Sequence, residues 1–214
     1  MTPLERINII RKWILEYVES MDNPANCLVV GISGGIDSSV VSTICAMTGM
    51  KTLVVSMPIS QRPEHHELGI KHKNWITTKY KNCFGVEIDL TYTFLNFENQ
   101  MIDMKFKDEV GLANSRARMR MMCLYQVSAS TTGLVVGTGN KIEDFGVGFF
   151  TKYGDGGVDI SPIADCTKSE VWAMAKELHI LEEIQIAEPT DGLWNDGRSD
   201  IDQLGMTYSQ IEYL

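Results

Sequence analysis

The sequence predicts an α/β fold: a doubly wound, mostly parallel sheet with helices on both faces. Two observations lead there. Short apolar runs bounded by glycine or a turn residue alternate with longer segments of helical periodicity, the pattern of strand–helix–strand units. A Gly/Ser-rich stretch also lies directly between the first such run and a helix, which is where sheets of this kind bind ligands.

The elements follow in order. Thr2-Pro3-Leu4-Glu5 is a capping box with proline at the first helical position. Leu4, Ile7, Ile10, Trp13, Ile14 and Val18 then recur at helical spacing, so residues 3–20 read as an amphipathic helix. Glu5, Arg6, Arg11 and Lys12 interrupt its apolar character and exclude a signal peptide. Residues 26–31 form a short apolar run ending in glycine, as a strand buried on both faces does. Residues 38–50, rich in Val, Ile, Ala and Met, read as a helix ending near Gly49, and 52–57 as a second buried strand stopped by Pro58. A polar, mostly helical stretch over 65–81 leads to a third strand at 84–90. Helices are predicted at 94–107 and 112–130, a fourth strand at 133–137 and a short fifth at 158–160. Residues 168–179 place Val171, Met174, Ala175 and Leu178 on one helical face. Right-handed crossovers bring the loops after parallel strands to one sheet edge, so 31–37, 57–63, 89–93 and 138–143 are expected to converge. No internal repeat or linker divides the chain, and 1–214 is expected to be one domain.

Composition narrows the function classes. Nineteen basic against 28 acidic residues give a net charge of −9, unsuited to general binding of nucleic acid or anionic membrane. Any polyanion must be held by a local cluster. No apolar run approaches the ~20 residues that span a bilayer. The five cysteines (27, 45, 83, 123, 166) are scattered, with no Cys-x-x-Cys pair, which speaks against a disulfide framework or structural zinc and for a reducing cytoplasm. Glu64-His65-His66-Glu67 is not a metalloprotease motif and reads as a solvated helix start. The methionines read as core filler.

Gly31-Ile32-Ser33-Gly34-Gly35-Ile36-Asp37-Ser38-Ser39 is the sharpest local signal. Adjacent glycines allow a tight turn with inward N–H groups, and Ser33, Ser38 and Ser39 add hydroxyls, a nest for phosphate on a helix N-terminus. The loop is neither a Walker A nor a Gly-x-Gly-x-x-Gly motif. Asp37 would repel phosphate unless a divalent cation lies between them; alternatively it caps the helix.

This nonapeptide resembles the pyrophosphate loop of the ATP pyrophosphatase superfamily, whose members adenylate an oxygen of a second substrate and share a Rossmann-like, adenine nucleotide alpha hydrolase-like fold. The loop alone does not choose among them. The ordered series 114–122, 135–144, 150–157, 159–162, Thr167-Lys168 and Glu188-Pro189-Thr190 is similar to the ammonia-dependent NAD synthetases from residue 26 to about 208. The resemblance implies amidation of deamido-NAD by ammonia and ATP, through an acyl-adenylate, releasing AMP and pyrophosphate. It implies ATP contacts by Gly31 to Ser38, Thr138, Lys168 and Thr190, deamido-NAD contacts by Arg118, Lys152 and Asp159, Mg²⁺ on Asp37 and Glu143, and a homodimer with helices 94–130 and the N-terminal helix as interface. The family continues with a further helix and a His-Lys pair touching deamido-NAD, whereas this sequence runs to Leu214, so that part of the site is either outside it or rebuilt. Some 25 residues precede the first strand, no room for a glutamine-hydrolysing domain, so ammonia is the expected donor.

The residues also carry chemistry of their own. Asn114 and Arg118 share a helix face, and three arginines within five positions (116, 118, 120) suggest an anion site rather than a solvated face. Thr138 follows a buried strand, and Glu143 is the carboxylate a cation would want opposite Asp37, or else a surface glutamate. Three glycines at 154, 156 and 157 suggest a loop closing on ligand, with Asp155 holding or deprotonating ammonium. Thr167-x-x-Glu170 is a capping box, so Lys168 sits in a first turn, where the helix dipole disfavours a cation by ~0.3–1 kcal/mol; phosphate explains it better than stability. Residues 188–204 read as a lid, weakly ordered without ligand. The competing readings are another adenylating or tRNA-modifying enzyme, against which the acidic balance speaks, and a nucleotide-binding protein without turnover.

Overall fold

The computed structural model describes residues 1–61, 63–190 and 200–213. Strands β1 (Cys27–Ile32), β2 (Lys51–Ser56), β3 (Cys83–Glu87) and β4 (Gly133–Val136) form one parallel sheet in the order β3-β2-β1-β4. From β1 the chain steps outward through β2 to β3 and then crosses back to lay β4 on the other side of β1, and such a switch point between β1 and β4 opens a crevice at the strands' carboxyl ends. Helices α1 (Pro3–Glu19), α2 (Ile36–Met47), α3 (Pro63–Lys79), α4 (Thr91–Asp103) and α5 (Glu109–Thr131) interleave with the strands.

Period-two alternation divides β1 between two cores. Leu28 and Val30 pack with Ile7, Ile14, Val40 and Ile44 on one face, while Cys27 and Val29 pack with Leu53, Phe94 and Leu124 on the other. Both sets are buried, which is why the run reads as continuous apolar sequence. The capping box at Thr2 forms, with Glu5 returning the bond. Helix α2 stops at Thr48, followed by Gly49 at φ +82°, a conformation glycine adopts without steric cost.

Several boundaries differ from the sequence expectation. The third strand ends at Glu87, and α4 begins at Thr91 instead of 94, because the Asp89 carboxylate accepts the Thr91 N–H and turns the chain. The fifth strand is reduced to one parallel bridge between Val136 and Ile160. A π-helix at Lys141–Val147 and the short helices α7 (Glu182–Ile186), α8 (Asp200–Leu204) and α9 (Tyr208–Ile211) carry too little periodicity to be seen in advance. The helix beginning at Lys168, α6 (Lys168–Glu177), forms with its capping box and buries Val171, Met174 and Ala175. No helix among the described residues is long and apolar enough to cross a membrane.

Candidate active site

A cleft of about 590 Å³ opens over the carboxyl ends of β1, β2 and β4. Gly31 to Ser38 form its floor, Gly137 to Gly139 one wall, and Glu188 to Thr190 its rim. The 89–93 loop does not reach it, contrary to expectation: β3 is the edge strand, and Thr91 instead accepts a hydrogen bond from the Ser60 N–H, bracing the loop after β2. Of the expected lid, residues 191–199 lie outside the described residues, whereas Thr190 and Gln203 line the cleft.

The glycine-rich loop turns through Gly34 at φ +90°, which is why a residue without Cβ is needed there. Its serines are turned inward on the loop itself. The Ser33 and Gly35 amides donate to the hydroxyls of Ser38 and Ser33 at 3.3 and 3.1 Å, and the Ser38 and Ser39 hydroxyls donate to the Gly35 carbonyl at 3.0 and 2.9 Å. Ser39 is fully buried, so its hydroxyl ties the loop instead of facing the cleft. Helix α3 comes close behind the loop, where Gly69 leaves 3.5 Å between an added Cβ and the Gly34 nitrogen.

Asp37 does not cap α2, whose N-cap is Gly35 without a side-chain bond. Its carboxylate accepts from Asn140 Nδ2 at 3.1 Å and from Lys168 Nζ at 2.6 Å. The same Nζ donates to Glu143 Oε1 at 2.8 Å. The two acidic groups, 106 positions apart in sequence, thus bracket one point, their nearest oxygens separated by no more than about 5.4 Å, the two hydrogen-bond lengths laid end to end. Lys168 is 2% exposed, and its place in a helix first turn is accounted for by this double ion pair. Burial works against its charge, but the two carboxylates outweigh it and raise its pKa; burial raises that of Asp37; and Glu143, despite burial, is held below its usual value by Lys168 and by hydrogen bonds from Lys168 and Tyr208.

Three members of this cluster escaped the sequence reading. Asn140 is fully buried; its oxygen accepts the amides of Ile142 and Glu143 while its nitrogen reaches Asp37, so it caps the π-helix and orients both acids. Asp144 lies against Gly139, whose missing side chain makes room for it. Its carboxyl is pushed up to about 7 by burial, then by Asp155, Glu143 and Asp37. Tyr208 donates to Glu143 Oε1 at 2.7 Å. The Asn-Lys-Ile-Glu-Asp run and the Thr-x-x-Gln box that contains Tyr208 were the available signals, but nothing local says which point they share.

A magnesium ion fits here by donor chemistry. The acids supply oxygen only, a hard set, and Asp37 and Glu143 place two carboxylates on a single ammonium. Among the described residues no three His, Cys, Asp or Glu side chains are arranged to hold an ion by themselves, so phosphate oxygens and water would complete its shell, as is usual for Mg²⁺.

The other expected residues divide. Thr138 and Asp155 line the cleft, and the Asp155 carboxylate accepts the Thr151 N–H at 3.0 Å. Arg118, Lys152 and Asp159 do not line it. Arg118 Nε donates to the Lys152 carbonyl at 3.0 Å, and Asp159 accepts from Tyr125 Oη at 2.9 Å and the Val135 N–H at 2.7 Å, grouping them along the outer face of α5. The three arginines make no common anion site. Arg118 points to another side of the helix, while Arg116 and Arg120, four apart on one face, meet different neighbours. Arg116 pairs with Glu98 and covers the Phe94 ring, and Arg120 donates to the Met57 carbonyl and is the one of the three that borders the cleft.

A family model described as NAD synthase matches residues 6–214. The NH(3)-dependent NAD(+) synthetase of Carboxydothermus hydrogenoformans is 36% identical over 210 residues, covering 98% of this chain and 84% of that protein. Among solved structures, an NMN synthetase from Francisella tularensis superposes with a TM-score of 0.89 at 30% identity, covering 99% of this chain and 85% of the other. An NH3-dependent NAD synthetase from Campylobacter jejuni does so with a TM-score of 0.77 at 29% identity, covering 86% and 77%.

Proposed function

The chain belongs to the NAD synthase family, and we infer on that footing that its cleft amidates the nicotinate carboxylate of deamido-NAD with ammonia, driven by ATP. It is a carbon–nitrogen ligase. The carboxylate oxygen bonds to the α-phosphorus of ATP as the bond to the β-phosphate oxygen breaks and pyrophosphate leaves. Ammonia then bonds to the acyl carbon, the carbon–oxygen bond to AMP breaks, and the nitrogen loses its extra proton.

The single observation that carries the site assignment is the convergence of Asp37 and Glu143 on one point beside the glycine-rich loop. In our reading these two acids hold Mg²⁺ against the phosphates. The ion, when bound, neutralises charge on the phosphate oxygens. The loop 31–38 receives the β- and γ-phosphates, and Lys168, released from the acids, follows them. Thr138 and Thr190 contact the nucleotide. Asp155, on the cleft wall, attracts ammonium and takes its proton, leaving free ammonia as the nucleophile. No protein nucleophile is needed, since every reacting atom belongs to a substrate; positioning and electrostatics supply the catalysis. Arg118, Lys152 and Asp159 bind deamido-NAD from the α5 face.

The chain 1–214 acts as one unit and, in this reading, as a homodimer in the cytoplasm. Exposed Phe106 and Met122 beside and on α5 support the homodimer, and five unpaired thiols support the cytoplasm. Release of AMP from deamido-NAD, ATP, Mg²⁺ and ammonium tests the reaction, with Asp37→Asn expected to abolish it while circular dichroism stays unchanged. A fully active Asp37→Asn enzyme refutes the metal assignment. The similarity to the Francisella NMN synthetase favours a second reading, formation of NMN; the same assay with deamido-NAD and with the carboxylate form of NMN as acceptors ranks the two by kcat/KM.

A further inference from the structure

Helix α9 has no assigned part in the chemistry, yet it is fastened to Glu143, to Lys168 and to the first turn of α6. The Tyr208 hydroxyl donates to Glu143 Oε1 at 2.7 Å, the same oxygen that receives Lys168 Nζ at 2.8 Å. The Tyr208 ring lies under that ammonium, 5.0 Å from Nζ to the ring centroid. Glu212 Oε1 accepts the Ser169 N–H at 2.8 Å, so α9 also caps the first turn of α6, the turn that bears Lys168. The helix is held in place by its own small core. Tyr208 and Ile211 pack on Ile142 of the π-helix, and Trp172 meets the Tyr208 ring edge-on at 5.7 Å. Thr207 and Gln210 fix its start with a capping box.

Glu143 projects from a seven-residue π-helix. Held at Oε1 from two sides, the Glu143 carboxylate is restrained in its orientation. One of these holds is Lys168, which in the reading above moves to phosphate; the other is Tyr208, which is 4% exposed and packed. We propose that Tyr208 is a positioning residue for the ligase reaction: its hydroxyl keeps Glu143 aimed at the metal point once Lys168 has left it. This rests on the reading that Asp37 and Glu143 hold the ion.

The test uses the full chain and Mn²⁺ as the probe, titrated by electron paramagnetic resonance in the presence of α,β-methylene-ATP, which cannot be cleaved at the bond in question. Tyr208→Phe keeps the ring and its packing and removes only the hydrogen bond. Loss of a bond to a charged group is expected to weaken Mn²⁺ binding about tenfold, with KM for ammonium unchanged. Glu212→Ala, which keeps the hydroxyl but loosens its helix, is expected to shift binding in the same direction by a smaller factor and covers the case in which Tyr208→Phe does not fold. Glu143→Gln is the reference. If it weakens Mn²⁺ binding and Tyr208→Phe leaves it at the unmodified value, the positioning role is overturned and the metal reading stands. If Glu143→Gln also leaves it unchanged, the metal reading falls and takes the inference with it.

Discussion

Lys168→Met removes a cation bonded to both Asp37 and Glu143 while keeping a side chain of similar length. The lysine is 2% exposed, and its partners keep 17% and 15% of their side-chain surface. Breaking a buried pair by deleting one member costs about 3–5 kcal/mol, and the residual access of the two acids to water places this site near the lower end, about 3 kcal/mol. For a chain of this size that corresponds to a melting temperature lower by about 6–12 °C. Differential scanning calorimetry in EDTA at pH 7.5 reads it. The deficit also has a pH signature. Without the ammonium, one acid has a folded-state pKa above its unfolded value, so the penalty is present at neutral pH and disappears as pH falls and that acid takes up a proton. Millimolar MgCl₂ narrows the deficit as well, since a cation binding only the folded state stabilises it. An unchanged melting temperature in EDTA refutes the reasoning. So does a deficit of equal size at pH 5, which would mean lost packing instead of unbalanced charge.

Two further predictions rest on other residues. His72 is fully buried and its Nε2 lies 2.8 Å from the Ser42 hydroxyl; burial lowers its pKa to about 4. The unfolded chain therefore binds the extra proton between about pH 6.5 and 4, and stability falls across that window by up to about 3 kcal/mol; urea denaturation at stepped pH checks this, with His72→Gln flattening that part of the curve. Asp155→Asn keeps an acceptor for the Thr151 N–H but removes the charge, and is expected to raise KM for ammonium several-fold more than KM for ATP in steady-state kinetics. Equal changes in both dismiss the ammonium role.

Much of the sheet was legible because its signals are local. A strand buried on both faces must be apolar throughout, and Cys27 to Val30 is; a helix start needs an acceptor for its free amides, and Thr2 and Thr167 supply one. The glycine-rich loop could be read for the same reason, since Gly34 sits at a φ that few other residues tolerate. The π-helix and α9 were missed because elements of seven and four residues hold too few side chains to show a period. The arginines misled because spacing along a helix gives direction only modulo one turn, and what each meets depends on neighbouring elements: Glu98 of α4 for Arg116, a carbonyl after β2 for Arg120.

Sequence by itself determined the alternating architecture and the glycine-rich turn, because capping, turn chemistry and burial patterns act over a few residues, and it paired Asp37 with Glu143 only through a family resemblance. Only the tertiary structure decided what stands between those acids, a buried lysine from α6, and what holds one of them, a tyrosine near the chain's end. Electrostatic partnership depends on distance in space, and folding brings residues 37, 143, 168 and 208 together through a sheet order that no spacing along the chain encodes.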